Sequence, residues 1–162
     1  MSLFRPSVKP MSLAGKLNSL FGRALTTLNR DIEENMRGSD EGVIHTVRLK
    51  MHDLLAFAID YSIRANLKPK ESAAVREILF VFLSGDASPY WESLARIPDD
   101  RRFGRSRIEY LMVGNTFLEE CGRTGIQEMD DAIRVHGANA FLRVSEAAKN
   151  EIKQVRVALP GI

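Results

Sequence analysis

The chain predicts an all-α fold, a compact bundle of six or seven helices in one domain. Apolar residues recur at spacings of three and four almost from end to end. Gly, Pro and Ser/Asp signals punctuate that pattern at helix-length intervals. Its 162 residues, 44% of them hydrophobic, suit a single domain with a sizeable core.

Pro6 and Pro10 mark residues 1–11 as an extended arm. The helical domain then spans 12–162, and Ser12 is the expected cap of a first helix reaching Asn35. Leu13, Leu17, Phe21, Leu25, Leu28 and Ile32 form its narrow apolar seam. Gly38 followed by Ser39-Asp40 signals a turn and a new N-cap. The second helix should run from Glu41 to Asn66, before Pro69. It is apolar on two sides (Val43, Val47, Met51, Leu54, Ala58 and Tyr61, against Leu49, Ala56, Ile59 and Ile63), which predicts a central position.

A third helix is expected from Lys70, with Gly85 as a left-handed C-cap. Its last six residues, Ile78 to Leu83, are apolar all round, so it too should be central. Ser88-Pro89 opens a short helix that stops before Pro98. After a loop over 98–105, Ser106 and Glu109 form a capping box for a helix ending at Cys121-Gly122. Thr124 and Gln127 form another, for a helix ending at Gly137. Asn139 should cap a last helix with the seam Phe141, Ser145, Ala148, Ile152, Val155 and Leu159. The narrow seams make the first and last helices the candidate homodimer elements.

The net charge of +2 conceals an asymmetry. Residues 1–30 hold Arg5, Lys9, Lys16, Arg23 and Arg30 and no acid, a charge of +5, so the rest sums to −3. Such a start has the composition of an organellar transit peptide; the plainer reading is a basic helix on an acidic body. The longest apolar run is six residues, far short of the ~20 that span a bilayer. A single cysteine, Cys121, forbids an intrachain disulfide. These features are compatible with a soluble cytoplasmic protein.

Catalytic signatures are weak. Gly-x-Ser-x-Gly, Gly-x-Gly-x-x-Gly and the P-loop pattern are all absent. Cys121 falls at a helix C-terminus, not the N-terminus that activates thiols, and reads as a small core residue. His45 and His52 are seven residues apart, roughly 10 Å along a helix, too far to share one metal ion. His136 is expected near a helix C-terminus, where a cation is favourable. The adjacent carboxylates Glu33-Glu34, Asp99-Asp100, Glu119-Glu120 and Asp130-Asp131 diverge on a helix and read as solvated faces. No metal and no cofactor is predicted. Asn115 and Gly114 interrupt apolar faces, and are expected to be a buried register-setting amide and a close helix contact.

The sharpest clue is the run of Arg96, Arg101, Arg102, Arg105 and Arg107, with Phe103 inside it. Guanidinium forks suit bidentate binding of carboxylate or phosphate. A solvated loop, paired with Asp99, Asp100 and Glu109, is the plain alternative. The small overall charge favours an acidic protein partner over nucleic acid. The sequence therefore points to a non-enzymatic regulator or adaptor. It would bind a protein through Arg96, Arg101, Arg102, Phe103, Arg105 and Arg107, with Lys16 and Arg23 of the first helix. A nucleic-acid-binding regulator using the same arginines with Arg5, Lys9 and Lys16 is the second expectation. A helix-turn-helix over 128–149 fits this only loosely, because Glu146 and Glu151 dilute its cations. The third is a metal-dependent bundle enzyme using His45, His52 or His136.

Overall fold

The structure is a computed structural model that describes residues 4–83, 85–98 and 107–161. Among these residues six helices pack together: α1 (Pro10–Asn35), α2 (Glu41–Asn66), α3 (Pro69–Phe82), α4 (Ser88–Leu94), α5 (Arg107–Cys121) and α6 (Gln127–Lys153). Two short strands, β1 (Ser7–Val8) and β2 (Arg156–Val157), complete it.

The expected α2 forms because its ends are well marked. Gly38 turns the chain at φ +88°. Asp40 then accepts the N–H groups of Gly42 and Val43, at 2.7 and 3.3 Å. Its second half, Leu54 to Ile63, is buried on every side. α2 packs most extensively on α6, and the aromatic core lies at this contact. Phe57 stacks on Tyr90 and Phe141, with ring centroids 5.0 and 5.6 Å apart. Tyr61 meets Phe141 edge-on at 5.1 Å. Ser62 Oγ donates to the Ser145 carbonyl at 2.5 Å, so the buried hydroxyl is satisfied.

The expected break at Gly137-Ala138-Asn139 does not exist. α6 runs through it for 27 residues, so there is no helix-turn-helix there and His136 lies mid-helix. Gly137 is a packing notch instead. A Cβ there would overlap the Phe117 ring of α5. Gly114 makes the reciprocal approach, since its Cβ would lie 2.7 Å from the Arg134 carbonyl oxygen. Two glycines thus let α5 and α6 come close, and the expected role of Gly114 holds. Asn115 is exposed and Asn139 accepts a bond from Tyr110 Oη at 2.9 Å, so neither has its expected role.

Other ends differ by local chemistry. α1 starts two residues before Ser12, at Pro10, whose fixed φ suits a first helical position. Thr124 does not bond Gln127. Its N–H and hydroxyl both donate to Asp130, at 2.8 and 2.7 Å, and hold that carboxyl below its usual range. Glu109 is fully buried and accepts the Tyr61 hydroxyl at 2.5 Å; Ser106 lies outside the described residues. Gly85 has φ +146° and sits past a helix that already ended at Phe82. Its bare Cα lets the chain pass within close contact of the His52 carbonyl of α2.

α3 is peripheral, packed mainly on α1, and its apolar end is not wholly buried. Val75 and Leu79 face inward, while Val81 and Phe82 are 78% and 65% exposed. Of the expected α1 seam, Leu13, Leu17, Phe21, Leu28 and Ile32 are buried against this chain's own helices and Leu25 is half-buried; of the last seam, Phe141, Ser145, Ala148 and Ile152 are buried and Leu159, beyond α6, is exposed. Neither seam is a free dimer face. Helix α6 stops at Lys153, and Val155 and Val157 bury beyond it.

The arm does not hang free. Its residues 7–8 pair in parallel with 156–157. Arg156 N–H donates to the Pro6 carbonyl at 2.9 Å and Ala158 N–H to that of Val8 at 2.8 Å. This ties both ends of the chain together beside the α2–α3 turn.

Candidate partner-binding surfaces

Both flanks of the arginine segment are fixed to α2 by buried polar contacts. On the α4 side, Trp91 Nε1 donates to Asp60 Oδ2 at 3.0 Å. Asp60 is 2% exposed and also holds Arg76 Nε at 2.5 Å and Arg64 Nε at 3.3 Å. The Arg64 guanidinium lies over the Trp91 ring, 4.2 Å from its centroid. A carboxylate so enclosed needs these partners, because an unpaired buried charge is costly. On the α5 side, Glu109 takes the hydroxyl of Tyr61, the next residue of α2. The two anchors therefore fall on consecutive α2 residues.

Of the residues expected to bind a partner, Arg96 is exposed just after α4, in a cleft with Glu92, Glu119 and Glu120. Arg107 opens α5. Arg101, Arg102, Phe103 and Arg105 lie outside the described residues. Lys16 and Arg23 are exposed on one side of α1, opposite its buried seam. α1 packs chiefly on α2, α3 and α6, whereas α4 packs on α5 and α2. The first-helix cations and Arg96 thus belong to different parts of the bundle. Arg23 faces Arg143 across a small α1–α6 groove that also holds Leu20 and Val144.

Two concavities were not legible in the sequence. The larger, about 550 Å³, is lined by Arg5, Lys68, Lys153 and Arg156 with Glu71 as the one acid among its described lining residues. These cations are scattered from one end of the chain to the other, so no local pattern announces them. The smaller, about 290 Å³, lies between α1, α2 and α6 and is lined by Ile32, Met36, Val47, Ile133 and Val135. His136 forms part of its wall. The imidazole Nε2 is buried there without a hydrogen-bond partner. Burial lowers the His136 pKa, against a smaller opposing pull from the Asp31 carboxylate.

The other candidate groups are dispersed. His45 is exposed, and His52 is half-buried edge-on to Phe21 at 6.0 Å. Among the described residues, no group of three or more His, Cys, Asp or Glu is placed to hold a metal ion. Cys121 is half-buried, and desolvation pushes its thiol up to about 12, so it stays protonated at neutral pH. Tyr90 Oη is buried without a partner and its pKa is raised by the same cause. No described helix is long and apolar enough to cross a membrane. No protein-family model, curated protein or solved structure matches the chain.

Proposed function

We propose that the chain is a non-enzymatic regulator or adaptor that binds an acidic protein partner through the arginine-rich segment 96–107. The observation that supports this is the anchoring of both flanks of the segment on Asp60 and Tyr61. Trp91 of α4 and Glu109 of α5 are thus held to adjacent residues of a buried helix. Arg101, Arg102, Phe103 and Arg105, which lie between them in sequence, would meet the partner. Arginines paired bidentately with carboxylates then supply specificity. Lys16 and Arg23 would serve as a second contact, reached only by a partner that extends around the bundle.

The test begins with affinity capture from source extract, with and without nuclease. The expected result is one nuclease-resistant protein at near-stoichiometric yield. Joint substitution of Arg101, Arg102 and Arg105 by Glu should abolish its binding and leave the thermal transition unchanged. Unaltered affinity in that folded variant overturns the reading.

The second reading is a nucleic-acid-binding regulator, favoured by the exposure of Arg5, Lys9 and Lys16 near the start of the chain. Its signature is affinity that falls steeply with salt, through counterion release from phosphates. Nuclease-sensitive recovery dominated by nucleic acid would put it first.

A further inference from the structure

The cleft at the joined chain ends shares only Arg5 with the surfaces above. Its cations come from four places: Arg5 before β1, Lys68 in the α2–α3 turn, Lys153 at the end of α6 and Arg156 on β2. The parallel β1–β2 pairing sets the Arg5 and Arg156 segments side by side. Among the described residues, none of the four cations is in an ion pair. Glu71 is already engaged, since its Oε2 accepts the Lys68 N–H at 3.1 Å.

Four cations against one carboxylate give the concavity a positive potential that favours an anion. Lys153 has a partial internal reason, because a cation offsets the negative carbonyl end of α6. Arg5 and Arg156 close no helix and have no such role. The positive end of α3 begins at the same cleft and adds to its sign. Leu67, Ile152, Val155 and Val157 supply an apolar wall beneath the charges.

We propose that this cleft binds a small organic phosphate, its phosphate held by Arg5, Lys68, Lys153 and Arg156 and its organic part laid on the Leu67–Val157 wall. The volume of about 550 Å³ falls within the range of small-molecule sites. Guanidinium groups match phosphate bidentately. The cations converge on one concavity, with no aromatic among its described lining residues to stack bases. A strand-tracking nucleic-acid surface has the opposite design, an extended basic groove with stacking platforms.

The experiment is calorimetric titration of the full chain at low salt with ATP and with inorganic pyrophosphate, alongside amide NMR shift mapping. Citrate and a single-stranded oligonucleotide serve as comparison anions. One saturable site is expected for both phosphates. The largest shifts should fall in residues 5–8, 67–71 and 153–158. Arg156→Glu and Arg5→Gln should each weaken binding about tenfold, since each removes a charge-assisted contact. Arg30→Glu, exposed near the far end of α1, should leave it unchanged. Circular dichroism of each variant separates lost binding from lost folding, and Arg5→Gln keeps the test valid if Arg156→Glu misfolds. The proposal is overturned by absence of saturable phosphate binding, by citrate binding as tightly as ATP, or by oligonucleotide binding without pyrophosphate binding. An equal loss in Arg30→Glu also overturns it, because it would mark general attraction and not a site.

Discussion

Two concavities of this bundle use opposite physics. The terminal cleft is wide and basic, and its functional groups reach into water. The His136 pocket is small, mostly apolar and lies between α1, α2 and α6. Removing a side chain should therefore change binding at the first and stability at the second. The reason is that exposed charges contribute little to folding, while buried apolar volume contributes most of it.

The largest expected effect lies in the pocket. Ile133 is 1% exposed, and Ile133→Ala enlarges a space that is already there. A loss of about 2–4 kcal/mol is expected by urea denaturation, from lost transfer energy plus the cavity term. A change below about 0.5 kcal/mol would show that the pocket collapses freely and is not a rigid cavity.

A pH titration of stability gives the next effect. Burial lowers the His136 pKa in the folded state. In the unfolded chain the imidazole takes up its proton near pH ~6.5. The unfolded state therefore binds more protons between the lowered folded pKa and that value. The contribution is fully present above it and is lost as pH falls through this window. One proton sets the slope at no more than about 1.4 kcal/mol per pH unit. His136→Gln should flatten that part of the curve in chemical denaturation between mildly acidic and neutral pH. An unchanged slope would mean that His136 is not the group responsible.

The smallest effect belongs to the cleft. Arg156→Ala and Arg5→Ala should each change unfolding free energy by less than about 0.5 kcal/mol. A gain in stability on removing either charge would sharpen the contrast, since it would reveal repulsion among the gathered cations. A large loss would break it, making the β1–β2 clasp and not anion binding the reason for these residues.

Much of the fold was legible because helices are local objects. The α2 limits follow from Asp40 at one end and Pro69 beyond the other, and its position at the centre follows from two apolar sides. Gly137 shows where that reasoning stops. Glycine ends helices and also admits close neighbours, and the choice here depends on Phe117, a residue of another helix. Val81 and Phe82 teach the same point. A six-residue apolar run reads as buried, but α3 turns Val75 and Leu79 inward and leaves Val81 and Phe82 exposed. The arginine segment was visible as composition. Its anchoring at Asp60 and Tyr61 was not, because Trp91 and Glu109 reach α2 from 31 and 48 residues away.

By itself the sequence determined the all-α class, the core stripes of α1 and α2, and the presence of two basic segments. Hydrogen bonding between near neighbours and a repeating apolar face settle those features without knowledge of distant residues. Only the tertiary structure decided that α6 is continuous, that the seams of α1 and α6 are spent inside the domain, and that Arg5, Lys68, Lys153 and Arg156 share one cleft. Those outcomes depend on which segments meet in space. Burial and charge act on that meeting whatever the separation along the chain.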